Sequence, residues 1–186
     1  MQEEIKKIAI NAAKKSGKML VKRFNEFDRG TIKLKSAHEI ITKADLASEK
    51  IILAEIKKNF PGHKILSEES GVNGVESEYK WIVDPIDGTT NFSMHNPLWA
   101  ISIGVAYKGE IVFGVVYAPV VDEMYVAELG KGATLNNKKI HVSSISSGKM
   151  INTYCHGNNI KDIKRAIKYY IQQKTHGMDC RQLGSA

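Results

Sequence analysis

Trp81-Ile82-Val83-Asp84-Pro85-Ile86-Asp87-Gly88-Thr89-Thr90-Asn91-Phe92 is the stretch on which the reading of this chain turns. It opens as a short apolar strand and then places two carboxylates, Asp84 and Asp87, one tight turn apart. Pro85 stiffens that turn and so fixes the angle between the two acids. Ile86 lies between them, and its carbonyl can point the same way. Hard cations such as Mg²⁺ want oxygen ligands and keep several waters, so a few carboxylates and one carbonyl suffice. Gly88-Thr89-Thr90 supplies the complementary half. Glycine lets the backbone approach a ligand, and threonine hydroxyls with the free amides of a helix N-terminus make an anion pocket. Taken alone, Asp-Pro-Ile-Asp-Gly equally suits an acidic turn, because Asp, Pro and Gly are all turn formers. The apolar strand before it, the hydroxyls after it and the separate pair Glu68-Glu69 upstream shift the reading toward a metal and phosphate site. Glu68 and Glu69 follow their own short strand, Ile65-Leu66, and acids just past strand ends converge at one sheet edge.

Outward from this stretch the periodicity is mostly clear. From about Glu3 to Phe27 apolar residues recur at three and four, which predicts an amphipathic helix. A short strand follows over 31–35. A second helix is expected after Thr42, a fitting N-cap, and runs to Asn59 with Leu46, Leu53, Ile56 and Phe60 as its stripe, before Pro61-Gly62 stops it. Asp45 and Glu49 share one face of this helix by their spacing of four, and without further context they read as solvated acids. Residues 64–142 read as strands, with a hairpin around Lys108-Gly109-Glu110 and a turn at Asn136-Asn137. That traffic predicts a largely antiparallel sheet. After Gly148 a strand at 151–155, a helix over 160–172 and an extended piece near Met178 read as the opening of an α/β layer. The division expected is 1–147 for an N-terminal α+β domain and 148–186 for the start of a second domain.

Composition narrows the classes. The 186 residues, 42% of them hydrophobic, are enough to bury a core. The net charge of +7 is spread in small doublets such as Lys14-Lys15 and Lys57-Lys58, without the long run of a nucleic-acid tail. Aromatic and basic residues do not interleave in the way that stacks bases, so no specific nucleic acid is expected as partner. Cys155 and Cys180 form no Cys-x-x-Cys pair and no disulfide framework. No signal sequence and no membrane-length apolar run is seen, and a cytoplasmic location is expected.

The motifs Thr42-Lys43-Ala44-Asp45, Ser67-Glu68-Glu69-Ser70, the stretch 81–92, Phe113-Gly114-Val115-Val116-Tyr117 and Gly130-Lys131-Gly132-Ala133 occur in this order along the chain. With them the chain resembles the inositol monophosphatase family, of the lithium-sensitive, magnesium-dependent phosphatase superfamily. The resemblance implies a layered α-β-α-β-α sugar phosphatase fold. It implies that Glu68, Asp84 and the Ile86 carbonyl hold a first Mg²⁺, that Asp84 bridges to a second which Asp87 also binds, and that Asp45 serves a third through water. Thr89, paired with Glu68, would orient and deprotonate the attacking water. Asp87, Gly88, Thr89 and Thr90 would bind phosphate and substrate, joined by Ser185 and Ala186. Hydrolysis of a small phosphate monoester, most simply myo-inositol 1-phosphate, follows, with fructose 1,6-bisphosphate and other superfamily esters as alternatives. An inactive fragment or a polyanion- or RNA-binding protein is the competing class. A homodimer is expected.

Two departures from the family pattern stand out. Ser67 takes the place of the usual glycine before the Glu pair. The chain also ends at Gly184-Ser185-Ala186, where the family continues through a Trp-Asp motif whose acid binds the second metal. The sequence therefore leads to the expectation of a truncated C-terminal layer, as a fragment, a split enzyme completed by a partner segment, or a deliberately shortened chain. His95, nearest the acids by sequence, reads as structural or surface.

Overall fold

The computed structural model describes residues 2–26, 33–34, 40–41, 43–144, 151–154, 160–175 and 179–182. The chain divides into two compact units, 1–140 and 141–186.

The first unit is two long helices laid on an eight-stranded sheet, with a short third helix, α3 (Thr89–Ser93), between two of its strands. Helix α1 (Gln2–Asn25) buries Ile5, Ile8, Ala9, Ala12, Ala13, Ser16, Gly17, Leu20 and Phe24, the three-and-four spacing that the sequence predicts. Gly17 sets its closeness to the sheet. A Cβ at that position would lie 2.6 Å from Cε1 of Tyr117, so the absence of a side chain lets helix and strand touch. Helix α2 (Lys43–Asn59) packs beside α1 and ends where Pro61 and Gly62 break the pattern. Its inward face differs from the expected stripe. Leu46 is 52% exposed and Leu53 only half-buried, while Ile52 and Ile56 are fully buried together with Ala44, Asp45, Ser48 and Glu49. The polar residues occupy turns of the inward face that an apolar count assigns to solvent. The predicted N-cap Thr42 lies outside the described residues.

A two-stranded antiparallel ladder, β1 (Lys33–Leu34) with β2 (Ile40–Ile41), lies between the helices in sequence. The main sheet holds β3 (Lys64–Ser67), β4 (Gly71–Val72), β5 (Tyr79–Asp87), β6 (Ala100–Tyr107), β7 (Glu110–Ala118), β8 (Glu123–Glu128), β9 (Gly132–Leu135) and β10 (Lys138–Ile140), in the order β10-β9-β8-β7-β6-β5-β3-β4. Every neighbouring pair is antiparallel except β3 with β5. Lys108 and Gly109 both take positive φ, 51° and 89°, as a two-residue turn that follows the strand twist requires. Asn136 and Asn137 do the same at 47° and 66°. Trp81, Val83, Ile101, Ile103, Val105, Phe113, Val115, Met124 and Val126 alternate along β5 to β8 and are buried in one core with the apolar face of the helices. Each such side chain contributes roughly 1.5–3 kcal/mol when fully buried.

The second unit is one βαβ piece. Strand β11 (Ile151–Tyr154) pairs in parallel with β12 (Asp179–Gln182), and helix α4 (Ile160–Thr175) connects them. None of the residues of α4 is buried, although it carries Ile160, Ile167 and Ile171. Among the described residues no helix is long and apolar enough to cross a membrane.

Candidate active site

The parallel pairing of β3 with β5 brings the acids together. Ser67 stands opposite Val83, and the Glu68 amide continues the ladder by donating to the Val83 carbonyl at 3.1 Å. The next step along both strands sets Glu68 beside Asp84. Asp84 is not past the strand end, as the sequence suggests; β5 runs on to Asp87. The pairing with β6 shifts here, from Asp84 opposite Ser102 to Asp87 opposite Ala100, so β5 carries one extra residue. In a regular strand, residues three apart point to opposite faces. The bulge removes one step, so Asp84 and Asp87 point the same way. Pro85, with no N–H to give, is tolerated in a central strand at such a bulge, and Pro85 and Ile86 are both buried as the phase changes.

Glu68 and Asp87 both act on Asp84 electrostatically. Burial first, then the like charges of Glu68 and Asp87, push the Asp84 carboxyl up to about 8, while the Ile86 backbone hydrogen bond pulls the other way. No basic side chain is among the groups that shift it. Asp84 Oδ1 is buried and accepts no hydrogen bond among the described residues. A crowded carboxylate with an unused buried oxygen is a costly arrangement for a fold, and it fits a hard divalent cation. The donor set is all oxygen, as Mg²⁺ prefers. Among the described residues no three His, Cys, Asp or Glu side chains close on a single point as a ready cage, so the Ile86 carbonyl and water would have to complete the coordination.

Gly88 begins the other half. Its φ of 92° and ψ of 38° are left-handed, a conformation that glycine adopts without strain. It turns the chain from β5 into the short helix α3 (Thr89–Ser93), whose first amides have no acceptor within the helix. Thr89 Oγ1 donates to the Ile86 carbonyl at 3.0 Å, with Asp45 Oδ1 as a second acceptor at 3.4 Å. The resemblance implied Glu68 as the partner of Thr89; the structure places Asp45 there, 2% exposed, so this helix acid is not the solvated group its spacing alone suggests. Thr90 is exposed at the start of α3. Ser185 and Ala186 lie outside the described residues. His95 is exposed and stacks on Phe24 at 5.1 Å between ring centroids, a packing role as expected.

Three residues went unremarked or undervalued in the sequence. Ser48 Oγ donates to the Pro85 carbonyl at 2.9 Å, Ser16 Oγ lies 2.7 Å from Ser48 Oγ, and Glu49 Oε1 accepts both the amide and the hydroxyl of Ser70, each at 3.0 Å. For Ser48 and Glu49 the signal was the spacing Asp45-x-x-Ser48-Glu49 on a helix whose apolar stripe is weak; Ser16, on α1, had none.

The mixed sheet with helices on one side and the acids gathered at a bulge define an α+β fold with an oxygen-donor site. The profile of the inositol monophosphatase family matches residues 1–186, and the chain belongs to that family. It is 42% identical over 137 residues to the inositol-1-monophosphatase of Mesorhizobium japonicum, covering 73% of this chain and 52% of that one. It is 40% identical over 138 residues to the Nus factor SuhB of Pasteurella multocida, covering 74% and 52%. The crystal structure of the extragenic suppressor protein suhB from Bartonella henselae superposes with a TM-score of 0.90 at 32% identity, covering 98% of this chain and 71% of that one. The fold is thus the α+β sugar phosphatase fold of the family. The chain spans about half the length of the two curated relatives.

Proposed function

We propose that the chain carries the metal and phosphate half-site of a Mg²⁺-dependent phosphomonoesterase acting on a small phosphorylated polyol, most simply myo-inositol 1-phosphate. The observation that supports it most is Asp84, with an unused buried oxygen and a carboxyl raised to about 8 beside Glu68 and Asp87. Glu68, Asp84 and the Ile86 carbonyl would hold one cation, and Asp84 with Asp87 a second. When bound, the cation would polarise the phosphoryl oxygens and lower the pKa of water. The chain's own residues supply the rest. Gly88, Thr89 and Thr90 would seat the phosphate at the bend between β5 and α3. Thr89 Oγ1 would align the attacking water and accept its proton, passing its own to Asp45 Oδ1, the acceptor 3.4 Å away. Thr89 keeps the Ile86 carbonyl as its resting acceptor, so the hydroxyl is oriented before substrate arrives.

A cytoplasmic homodimer with lithium-sensitive activity goes with this reading. The test is phosphate release by the purified chain from a panel of inositol, sugar and nucleotide monophosphates, with Mg²⁺, with added Li⁺ and with EDTA. Release of phosphate that requires Mg²⁺ is expected; release that is unchanged in EDTA would overturn the reading. A second reading rests on the relatives named Nus factor SuhB and on the +7 charge: a binding role toward a polyanion. It predicts salt-dependent association that persists in EDTA.

A further inference from the structure

One face of α2 reaches three separate segments of the site. Asp45, Ser48 and Glu49 stand at positions i, i+3 and i+4, which places them together on a helix. Asp45 meets Thr89 in α3, Ser48 meets Pro85 in the β5 bulge, and Glu49 meets Ser70 in the turn after Glu68-Glu69. Only Asp45 enters the chemistry above. Ser16, Ser48 and Glu49 are all buried, and buried polar groups cost stability unless they are hydrogen-bonded. Here Ser48 bonds the Pro85 carbonyl, and Glu49 bonds the amide and the hydroxyl of Ser70, both in the segments that present the acids. The direction of the serine chain follows from proton counting. Ser48 has one hydroxyl proton and gives it to the Pro85 carbonyl, so Ser16 must donate to Ser48.

We propose that Ser48 and Glu49 are positioning residues, which clamp the Asp84–Gly88 bulge and the Glu68–Ser70 turn in the mutual placement that one divalent cation requires. Ser16 sets the direction of the Ser48 hydroxyl. The proposal rests on the metal reading above, and its two readouts separate the two. The β3–β5 ladder pairs the strands as far as Glu68 and Val83. Beyond that last bond the bulge and the turn are tied to α2, and without the clamp the carboxylates they present are free to shift. The clamp acts through neutral donors and acceptors, the Pro85 carbonyl and the Ser70 amide and hydroxyl, so it needs a hydrogen-bonding atom at 48 and 49, and at 49 it needs no charge.

The experiment uses the full chain as Ser16→Ala, Ser48→Ala, Glu49→Met and Glu49→Gln variants. Mn²⁺ affinity is measured by calorimetry, and amide exchange of the metal-free chain by mass spectrometry. Ser48→Ala and Glu49→Met should each weaken Mn²⁺ binding about ten-fold or more, the scale seen when partners that orient metal ligands are removed. Exchange should rise locally, around 85–88 for the first and around 69–71 for the second. Glu49→Gln keeps an acceptor oxygen and should stay near wild type. Ser16→Ala should add little in the Ser48→Ala background, since the two act in series. Wild-type affinity with unchanged exchange in both Ser48→Ala and Glu49→Met would overturn the proposal. If Ser48→Ala does not fold, Ser16→Ala and Glu49→Met decide it by the same two readouts. If the wild-type chain binds no Mn²⁺, the metal reading falls, and local exchange alone then decides the clamp.

Discussion

Helices α2 and α4 are nearly the same length, 17 and 16 residues, yet they invert the usual relation between sequence and burial. Helix α4 has the cleaner apolar stripe, and Ile160, Ile167 and Ile171 on it are all more than half exposed. Helix α2 has the weaker stripe, and it buries an aspartate, a serine and a glutamate along with Ile52 and Ile56. Amphipathicity alone therefore does not say which helix is anchored. What anchors α2 is a mixed face: apolar residues against the sheet, and polar residues whose hydrogen bonds end on the bulge and turns of the site. The lesson is that polarity on an inward face marks where the fold gives up core for function.

Paired truncations sharpen that contrast and carry the largest expected stability effect. Ile52→Ala should destabilise by about 2–5 kcal/mol, the cost of a cavity in a packed core. Ile167→Ala should change stability by less than about 0.5 kcal/mol, as exposed substitutions usually do. Urea unfolding of both variants checks this, and a comparable loss from Ile167→Ala would show that the stripe of α4 is covered in solution. A smaller effect is expected where α1 touches the sheet. Gly17→Ala drives a methyl against the Tyr117 ring, whose hydroxyl is tied to Asp122 Oδ1 at 2.9 Å. The cost should be roughly 1–3 kcal/mol, seen as a lower denaturation midpoint with an unchanged slope.

The smallest effect concerns His63, just past α2. Trp81 Nε1 donates to His63 Nδ1 at 3.0 Å, and the imidazole stacks between Phe60 and Tyr79 at 4.7 and 4.8 Å. Burial holds this imidazole below its usual value of 6.5. The folded state then binds fewer protons than the unfolded state, so the stabilising contribution is complete above pH 6.5. It declines as pH falls from 6.5 toward the lower folded value. With solvent screening the total is about 1 kcal/mol at most. Denaturant midpoints across that range should fall in the wild type and flatten in His63→Gln; a wild-type stability that rises on acidification through this window would contradict the assignment.

Much of this molecule was legible in its sequence because local chemistry settles it. The spacing in α1, the Pro61-Gly62 stop, the Lys108-Gly109 turn and the asparagine pair at 136–137 each state their structure within a few residues. What was not legible depends on pairing between distant segments. Asp84 and Asp87 read as acids on a turn, and only the register against β6 shows a bulge that turns both to one side. Thr89 and Asp45 are far apart in the chain, so nothing local names them as partners. Leu46 looked like core and Ser48 did not, because an apolar count cannot see that the inward face of α2 serves hydrogen-bond acceptors in β5.

The central claim is that Glu68, Asp84 and Asp87 hold divalent cations around the β5 bulge, with Asp84 common to both sites. Calorimetric titration of the wild-type chain and Asp84→Asn with Mn²⁺ tests it most directly. The wild type should bind, and Asp84→Asn should lose more than about a hundred-fold in affinity, beyond the effect of removing a residue that only supports a ligand. In the metal-free chain Asp84→Asn should also raise the thermal midpoint, because it removes a carboxyl that burial first, and then the charges of Glu68 and Asp87, lift to about 8. Equal Mn²⁺ affinity in the two proteins would contradict the account.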